Sequence, residues 1–164
     1  MTSDKKSIVE LIVDPKSIAP DSGSLYPPPH DKIVEGRHRH RLSPAIGLNN
    51  YGVNMVRLEP GAASSARHWH TEQDEFIYVV SGTATLISDE GETELGQGMA
   101  AGFPAGNPNG HQVVNRSQGD VWYLEVGDRP QNEDVTYPDI DLANAVRDRI
   151  PHFTRKDGSS SDDY

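Results

Sequence analysis

The chain of 164 residues is long enough for one domain with a hydrophobic core of its own. It contains no cysteine, which excludes disulfide bonds, thiolate zinc sites and a cysteine nucleophile. Its 25 acidic and 15 basic residues give a formal net charge of -10, which argues against nucleic acids and anionic membrane surfaces as partners.

The N-terminal region, residues 1–49, is predicted to form an irregular arm rather than a domain. Its apolar run at 8–13 is interrupted by Glu10 and is too short for a secretory signal or a membrane span, so we expect a cytoplasmic protein without a membrane partner. The region also lacks room for a helix-turn-helix module, which argues against a fused DNA-binding regulator. We expect the arm to pack on a partner barrel or to exchange with the partner's arm.

Short apolar runs separated by glycine, proline and polar turns follow from residue 50 to residue 127. Because these runs are rich in β-branched and aromatic residues, they predict strands. Many short strands at this spacing favour a sandwich or barrel over a parallel α/β sheet. The clearest runs lie at 53–58, 75–80, 83–88, 112–115 and 121–126.

The C-terminal region, residues 128–156, is predicted to be an extension that contains one short helix. Leu142, Val146 and Ile150 follow one another at intervals of four residues, as on one face of a helix. Residues 157–164 consist mainly of Gly, Ser and Asp, and they are predicted to be a disordered tail.

Two pairs of histidines occur, each with one residue between them: His38 with His40, and His68 with His70. On a β-strand, residues i and i+2 point to the same face, so two such imidazoles can bind one metal ion. The first pair lies in the sequence RHRHR, where the positive charge of the arginines opposes a divalent cation. We interpret residues 37–41 as a solvated basic loop or an edge strand, with an anion contact or a subunit contact as the alternative.

The second pair belongs to a longer pattern of fixed spacings. Glu75 follows His70 after a polar turn, so it returns on the next strand beside the histidines. A third histidine, His111, begins a later strand. The whole pattern is Gly61-x6-His68-x-His70-x4-Glu75-x6-Gly82, followed by Gly98-x5-Pro104-x-Gly106-x4-His111-x3-Asn115.

This double pattern resembles the two sequence motifs of the cupin superfamily. One spacing departs from the family, because four residues rather than the usual two separate Gly106 from His111. The region 123–142 is also similar to the C-terminal part of small single-domain bacterial cupins. The resemblance implies an all-β fold: a cupin double-stranded β-helix of the jelly-roll type that spans 50–127, with the irregular arm before it and the short helix after it.

The resemblance also implies a metal site. Cupins use the histidines and the glutamate of these motifs as ligands, which here are His68, His70, Glu75 and His111. Three imidazoles and a carboxylate suit a divalent iron, manganese, nickel, cobalt or zinc ion, of which we expect one per chain. Cupins commonly pair through N-terminal strands and outer sheet faces, so we also expect a homodimer.

Alternation along the strands predicts which side chains face the barrel interior. If Glu75 faces inwards, then Ile77 and Val79 do so as well, whereas Phe76 and Tyr78 face outwards. The interior around the metal is therefore expected to be largely apolar, as suits a small-molecule pocket.

Two further residues are candidates for substrate binding. Arg57 would pair with a substrate carboxylate or phosphate if it faced inwards, and it would be an ordinary surface charge if it faced outwards. Tyr123, on the strand predicted at 121–126, could line the mouth of the barrel.

The function that these features favour is a metal-dependent enzyme acting on a small oxygen-bearing molecule. The three-histidine, one-glutamate set resembles that of cupin dioxygenases, so a dioxygenase-like oxidoreductase is the first expectation. Isomerases and lyases of the family use nearly the same ligands, and other members bind metals or small molecules, or act as sensors, without catalysis. If Glu75 leaves the metal, it could act as the catalytic base.

Overall fold

The computed structural model describes residues 7–161. Its strands are β1 (Arg37–Arg41), β2 (Tyr51–Leu58), β3 (Trp69–His70), β4 (Glu75–Ser81), β5 (Thr83–Ser88), β6 (Gly91–Gly96), β7 (Ala100–Phe103), β8 (Gln112–Val114), β9 (Val121–Asp128), β10 (Glu133–Thr136), β11 (Ala143–Arg147) and β12 (Ile150–Thr154). A short α-helix, α1 (Leu42–Ile46), joins β1 to β2, and 3-10 helices lie at Ile8–Leu11, Pro15–Ser17 and His30–Val34.

The strands form three sheets, in the orders β1-β2-β9-β4-β7, β6-β5-β8 and β12-β11-β10-β3. The first two sheets pack face to face, since one apolar cluster joins residues such as Val56, Val79 and Val121 to Ala84 and Val113. A second apolar cluster lies beneath the third sheet and includes Val135, Tyr137 and Leu142. The predicted all-β jelly-roll fold is confirmed.

The predicted alternation on β4 is also confirmed. Ile77 and Val79 are buried, with 4% and 0% of their surfaces exposed, whereas Phe76 and Tyr78 each expose 42%. Consequently Glu75 begins β4 on the face that points to the barrel interior.

The predicted C-terminal helix is wrong, because the region forms the hairpin β11–β12 instead. Arg147 pairs with Ile150 across a two-residue turn, in which Asp148 and Arg149 both have positive φ, of 50° and 64°. Both turn residues thus have the positive φ that is required by two-residue turns whose twist matches that of the flanking strands.

Residues 37–41 are an edge strand, one of the two interpretations that the sequence allowed. β1 pairs antiparallel with β2 along its whole length, and on its other side Asp21 forms a bridge to Arg39. The arm therefore packs on the barrel of its own chain, and its exchange with a partner stays a prediction.

The last described residues turn back towards β12. Ser160 forms a bridge with Thr154, and Ser161 is buried. The tail predicted to be disordered is thus described only up to residue 161, and residues 162–164 lie outside the described range. Within residues 7–161, no helix has the length and apolar character needed to cross a membrane.

Candidate metal centre

Three of the predicted ligands come together at the start of β3 and β4. His68, His70 and Glu75 each offer a ligand atom, and these atoms all lie within 4.8 Å of one another. Two atoms bound about 2.1 Å from the same ion are at most about 4.2 Å apart, so small side-chain adjustments would bring this group around one metal. The group could therefore hold an ion.

His111 approaches the same carboxylate from a third direction. Its backbone pairs with that of His68, and its Nε2 lies 2.7 Å from Oε2 of Glu75. The same Oε2 is 3.4 Å from Nε2 of His68 and 3.4 Å from Nε2 of His70. The ring of Phe103 stacks on His111 at a centroid distance of 3.7 Å and fixes its plane.

The other ring nitrogens are held in a way that leaves Nε2 for a metal. Nδ1 of His68 lies 2.9 Å from the carbonyl oxygen of Ala66, to which it donates, and Nδ1 of His70 lies 3.0 Å from Oε2 of Glu133. Nε2 of His70 is buried and makes no hydrogen bond with the described residues. A metal ion would satisfy this nitrogen, so the donor set fits one.

Sequence reasoning missed Glu133. It is 63 residues from His70 in the chain. The pairing of β3 with β10 brings Val135 opposite His70, and Glu133 lies two residues before Val135, at the start of β10. A carboxylate that accepts from the second nitrogen of a ligand histidine orients the ring and raises its basicity.

The charges of the site are strongly coupled. Burial disfavours the charged form of His70, but the carboxylates of Glu133 and Glu75 outweigh it and raise the pKa of His70 to about 10. Burial also opposes ionisation of Glu75, yet the hydrogen bond from His111 and the neighbouring imidazoles of His68 and His70 hold its pKa well below the usual range. For His111, burial is the larger effect and lowers the pKa. A metal ion would therefore meet an ionised carboxylate and would displace a proton from His70.

A cavity of about 620 Å³ opens beside this group. His68, His70 and Glu75 form one part of its wall. Most of the rest comes from β1, β2, β9, β10, the C-terminal hairpin and residues 21–26 of the N-terminal arm. Its volume is in the range of small-molecule sites, roughly 300–1,000 Å³. The arrangement can thus place a small ligand against a bound metal.

The two predicted substrate-binding residues do not line this cavity. Arg57 lies on the outer face of the sheet, where it donates to Asp120 at 2.9 Å and contacts Glu59. Tyr123 lies in the apolar core of the barrel with 1% of its surface exposed, so burial raises the pKa of its hydroxyl well above the usual value.

Instead, the arginines of β1 line the cavity, as do Asn54 and Glu125. The signal for this was the alternation in RHRHR, which required either the arginines or the histidines to face inwards. The sequence alone did not tell which face of β1 would meet the barrel.

Comparisons with known proteins agree with this architecture. Residues 54–127 match the family model described as a cupin domain. A crystal structure of a sugar phosphate isomerase of the cupin superfamily from Silicibacter pomeroyi has 47% sequence identity and a TM-score of 0.87, and the match covers 90% of this chain and 94% of that chain. None of the curated proteins matches this chain.

Two more distant structures share the fold. One, from Acidithiobacillus ferrooxidans and named only provisionally as a sugar phosphate isomerase, has 23% identity and a TM-score of 0.78, with 91% of this chain and 94% of that chain covered. The other, the polyketide cyclase RemF from Streptomyces resistomycificus, has 21% identity and a TM-score of 0.60, with 71% and 78% covered.

Proposed function

This chain belongs to the cupin superfamily, and we propose that it is a metal-dependent isomerase acting on a small phosphorylated sugar. The observation that carries the proposal is the convergence of His68, His70, Glu75 and His111 beside a cavity large enough for such a molecule. Support for the reaction class comes from the Silicibacter pomeroyi protein, a sugar phosphate isomerase with 47% identity over 90% of this chain.

We propose that these four side chains hold one divalent ion of iron, manganese, nickel, cobalt or zinc. When bound, such an ion would polarise a carbonyl or hydroxyl oxygen of the substrate as a Lewis acid. Glu133 keeps the imidazole of His70 in a fixed orientation, and Phe103 does the same for His111. The remaining wall of the cavity excludes bulk water from part of the substrate.

Isomerisation of an aldose to a ketose requires a base that removes the proton from one carbon and returns it to the neighbouring carbon. The hydroxyl proton passes at the same time to the former carbonyl oxygen, so that hydroxyl and carbonyl exchange places. Glu75 stays the proposed base, a role that its carboxylate could serve only when it does not bind an ion. Its low pKa, which the neighbouring histidines maintain, keeps it ionised at neutral pH. The dioxygenase-like oxidoreductase and the lyase stay predictions, as does the non-catalytic binder or sensor.

The test is to incubate the metal-loaded chain in D2O with aldose and ketose phosphates and to follow the sugars by NMR. We expect interconversion with deuterium entering beside the carbonyl carbon, and a loss of roughly 100-fold or more in His68→Ala. His38→Ala, which changes a histidine on the outer face of β1, should keep full activity.

Two results would contradict the proposal. A fully metal-loaded chain that binds sugar phosphates without turnover would favour the non-catalytic binder. Oxygen consumption with a substrate, in the absence of isomerisation, would favour the oxidoreductase class.

We further propose that a second copy of the chain covers the outer face of β4. Phe76 and Tyr78 expose 42% of their surfaces and Val80 exposes 36%, and Met99 nearby exposes 47%. A continuous row of apolar side chains on an outer sheet face is a common feature of a protein–protein contact.

A further inference from the structure

The alternation of RHRHR in β1 places all of its arginines on the same side as the metal-ligand group. Arg37, Arg39 and Arg41 line the cavity that also contains His68 and His70. The histidines of β1 contact a surface carboxylate and a tryptophan on the opposite face of the sheet. Three guanidinium groups at successive inward positions are therefore available to this cavity.

Two of these arginines are already engaged by the protein. Arg37 donates to the carbonyl oxygens of Ser64, at 2.7 Å, and Gly23, at 2.9 Å, and it is 8% exposed. Arg41 donates to Asp21 at 2.5 Å. These bonds fasten β1 and the segment around residue 23 to the barrel, although Nε of Arg37 is itself buried without a hydrogen bond to the described residues.

Arg39 lies between them, and its guanidinium has an N–H donor without a hydrogen-bond partner among the described residues. Its closest carboxylate is that of Glu125, whose Oε1 is 3.6 Å from Nε, beyond a good hydrogen bond. Nε of Arg39 is buried and makes no hydrogen bond with the residues that the structure describes. Buried guanidinium donors are nearly always satisfied, so an acceptor from outside the chain is expected here.

Two more arginines reach the same cavity from its rim. Arg129 follows β9, and Arg149 lies in the turn of the β11–β12 hairpin. Neither has an ion pair with another residue in the range 7–161. The φ of 64° at Arg149 belongs to the tight turn of this hairpin.

The charge of the cavity matches a doubly charged anion. Its five arginines are balanced formally by the five carboxylates that line it, although the whole chain carries a charge of -10. A divalent ion would add two positive charges, and a phosphate monoester carries roughly 1.5 to 2 negative charges at neutral pH. The carboxylates are Asp21, Glu75, Glu125, Asp128 and Glu133.

We propose that Arg39, assisted at the rim by Arg129 and Arg149, binds the phosphate group of the substrate while the sugar oxygens lie at the metal. A guanidinium offers planar paired donors that suit phosphate oxygens, which a lysine at the same place would not reproduce. This inference rests on the proposed function, because it assigns the two ends of one phosphorylated substrate to two parts of the same cavity.

The test measures the dissociation constant of inorganic phosphate by calorimetry, on the full chain loaded with the metal that it retains. Arg39→Gln should weaken phosphate binding at least tenfold, whereas Arg57→Gln should bind phosphate as the wild type does. Arg57 is the matched control, since it removes the same charge from the outer face of the neighbouring strand. Metal content, measured by mass spectrometry, should be equal in all three proteins.

Two further variants distinguish a direct loss of phosphate binding from misfolding of Arg39→Gln. Arg39→Lys keeps the charge but loses the paired donors, so it should weaken binding severalfold. Arg129→Gln changes an exposed residue and should weaken it by a smaller factor. Acetate should compete poorly with phosphate if the site prefers a dianion to a carboxylate.

The inference is overturned if the wild type does not bind phosphate at millimolar concentration, or if the Arg39 variants bind it as tightly as the wild type. It is also overturned if removal of the metal abolishes phosphate binding while Arg39→Gln leaves it unchanged, because the ion itself would then be the anion site. A wild type that lacks isomerase activity or contains no metal would contradict the proposed function rather than the assignment of Arg39.

Discussion

The carboxylate of Glu133 lies 3.0 Å from Nδ1 of His70, and its side chain is only 7% exposed. It accepts the proton of Nδ1 and so presents the other nitrogen of the ring to the metal position. Together with Glu75 it also raises the pKa of His70 to about 10. At the scale of single residues, Glu133 therefore controls both the direction and the basicity of one proposed metal ligand.

The variant Glu133→Gln keeps an acceptor oxygen but removes the charge. We expect the metal affinity to fall about tenfold, near the lower end of the range for such outer-shell changes. Competition with a coloured chelator measures the affinity. Glu94→Gln, on the exposed part of β6, is the control and should bind metal like the wild type. Equal affinities in both variants would contradict the role of Glu133.

The residues of the metal site differ in how far the sequence revealed them. His68, His70, Glu75 and His111 were predicted because the fixed spacings around them resemble the two cupin motifs, which imply them as ligands. Glu133 was not, because its position depends on the pairing of β3 with β10, which no local pattern records. The inward direction of the β1 arginines was hidden for the same reason.

At the scale of secondary structure, the C-terminal hairpin shows where periodicity misleads. The interval of four between Leu142 and Val146 fits a helix, but four is also a multiple of two, so the pair fits one face of a strand equally well. Positions 145 and 149, which a helix would bury as well, carry Ala and Arg. Ala145 fits a helix, but Arg149 does not, and an apolar residue at position 149 would have been needed to favour the helix.

Arg67 joins two loops of different sheets. It donates to Asp139 at 2.7 and 2.8 Å and also to Asp89, and its side chain is 15% exposed. Arg67→Ala should lower the free energy of unfolding by about 1 kcal/mol at pH 7, the upper end for ion pairs with exposed carboxylates. Chemical denaturation measures the change. Arg116→Ala, which breaks a more exposed pair with Glu92, should cost less.

The effect of Arg67 should depend on pH in one direction. The hydrogen bond from Arg67 lowers the pKa of Asp139 in the folded chain below its ordinary value of 3.8. A lowered pKa contributes stability above the unfolded value, and this contribution is lost as the pH falls through the folded one. The difference in the free energy of unfolding between the wild type and Arg67→Ala should therefore shrink below about pH 4. A constant difference down to pH 2 would contradict this assignment.

At the scale of the whole molecule, the exposed apolar row on β4 is one feature that a single chain leaves uncovered. Light scattering should give the wild type twice the 18.0 kDa mass of one chain at micromolar concentration. The double variant Phe76→Ser with Tyr78→Ser should shift it to the mass of one chain. Ile150→Ser, which removes an even more exposed apolar side chain from another sheet, should stay dimeric. A monomeric wild type would refute the proposed dimer.

The fold as a whole was predictable, because the strand patterns and the two motifs are distributed over the whole barrel region, residues 50–127. The arrangement of the arm around the cavity was not, since its irregular segments carry no period. The cytoplasmic location and the lack of nucleic-acid partners stay predictions.

The central claim is that the His68 pair, and not the His38 pair, holds a metal. Metal content by mass spectrometry on the untagged wild type, on His68→Ala and on His38→Ala tests it most directly. The account predicts about one ion per chain in the wild type and in His38→Ala, and a loss of most of it in His68→Ala. A wild type that contains no metal even after reconstitution, or a His68→Ala variant that keeps its ion, would contradict the account.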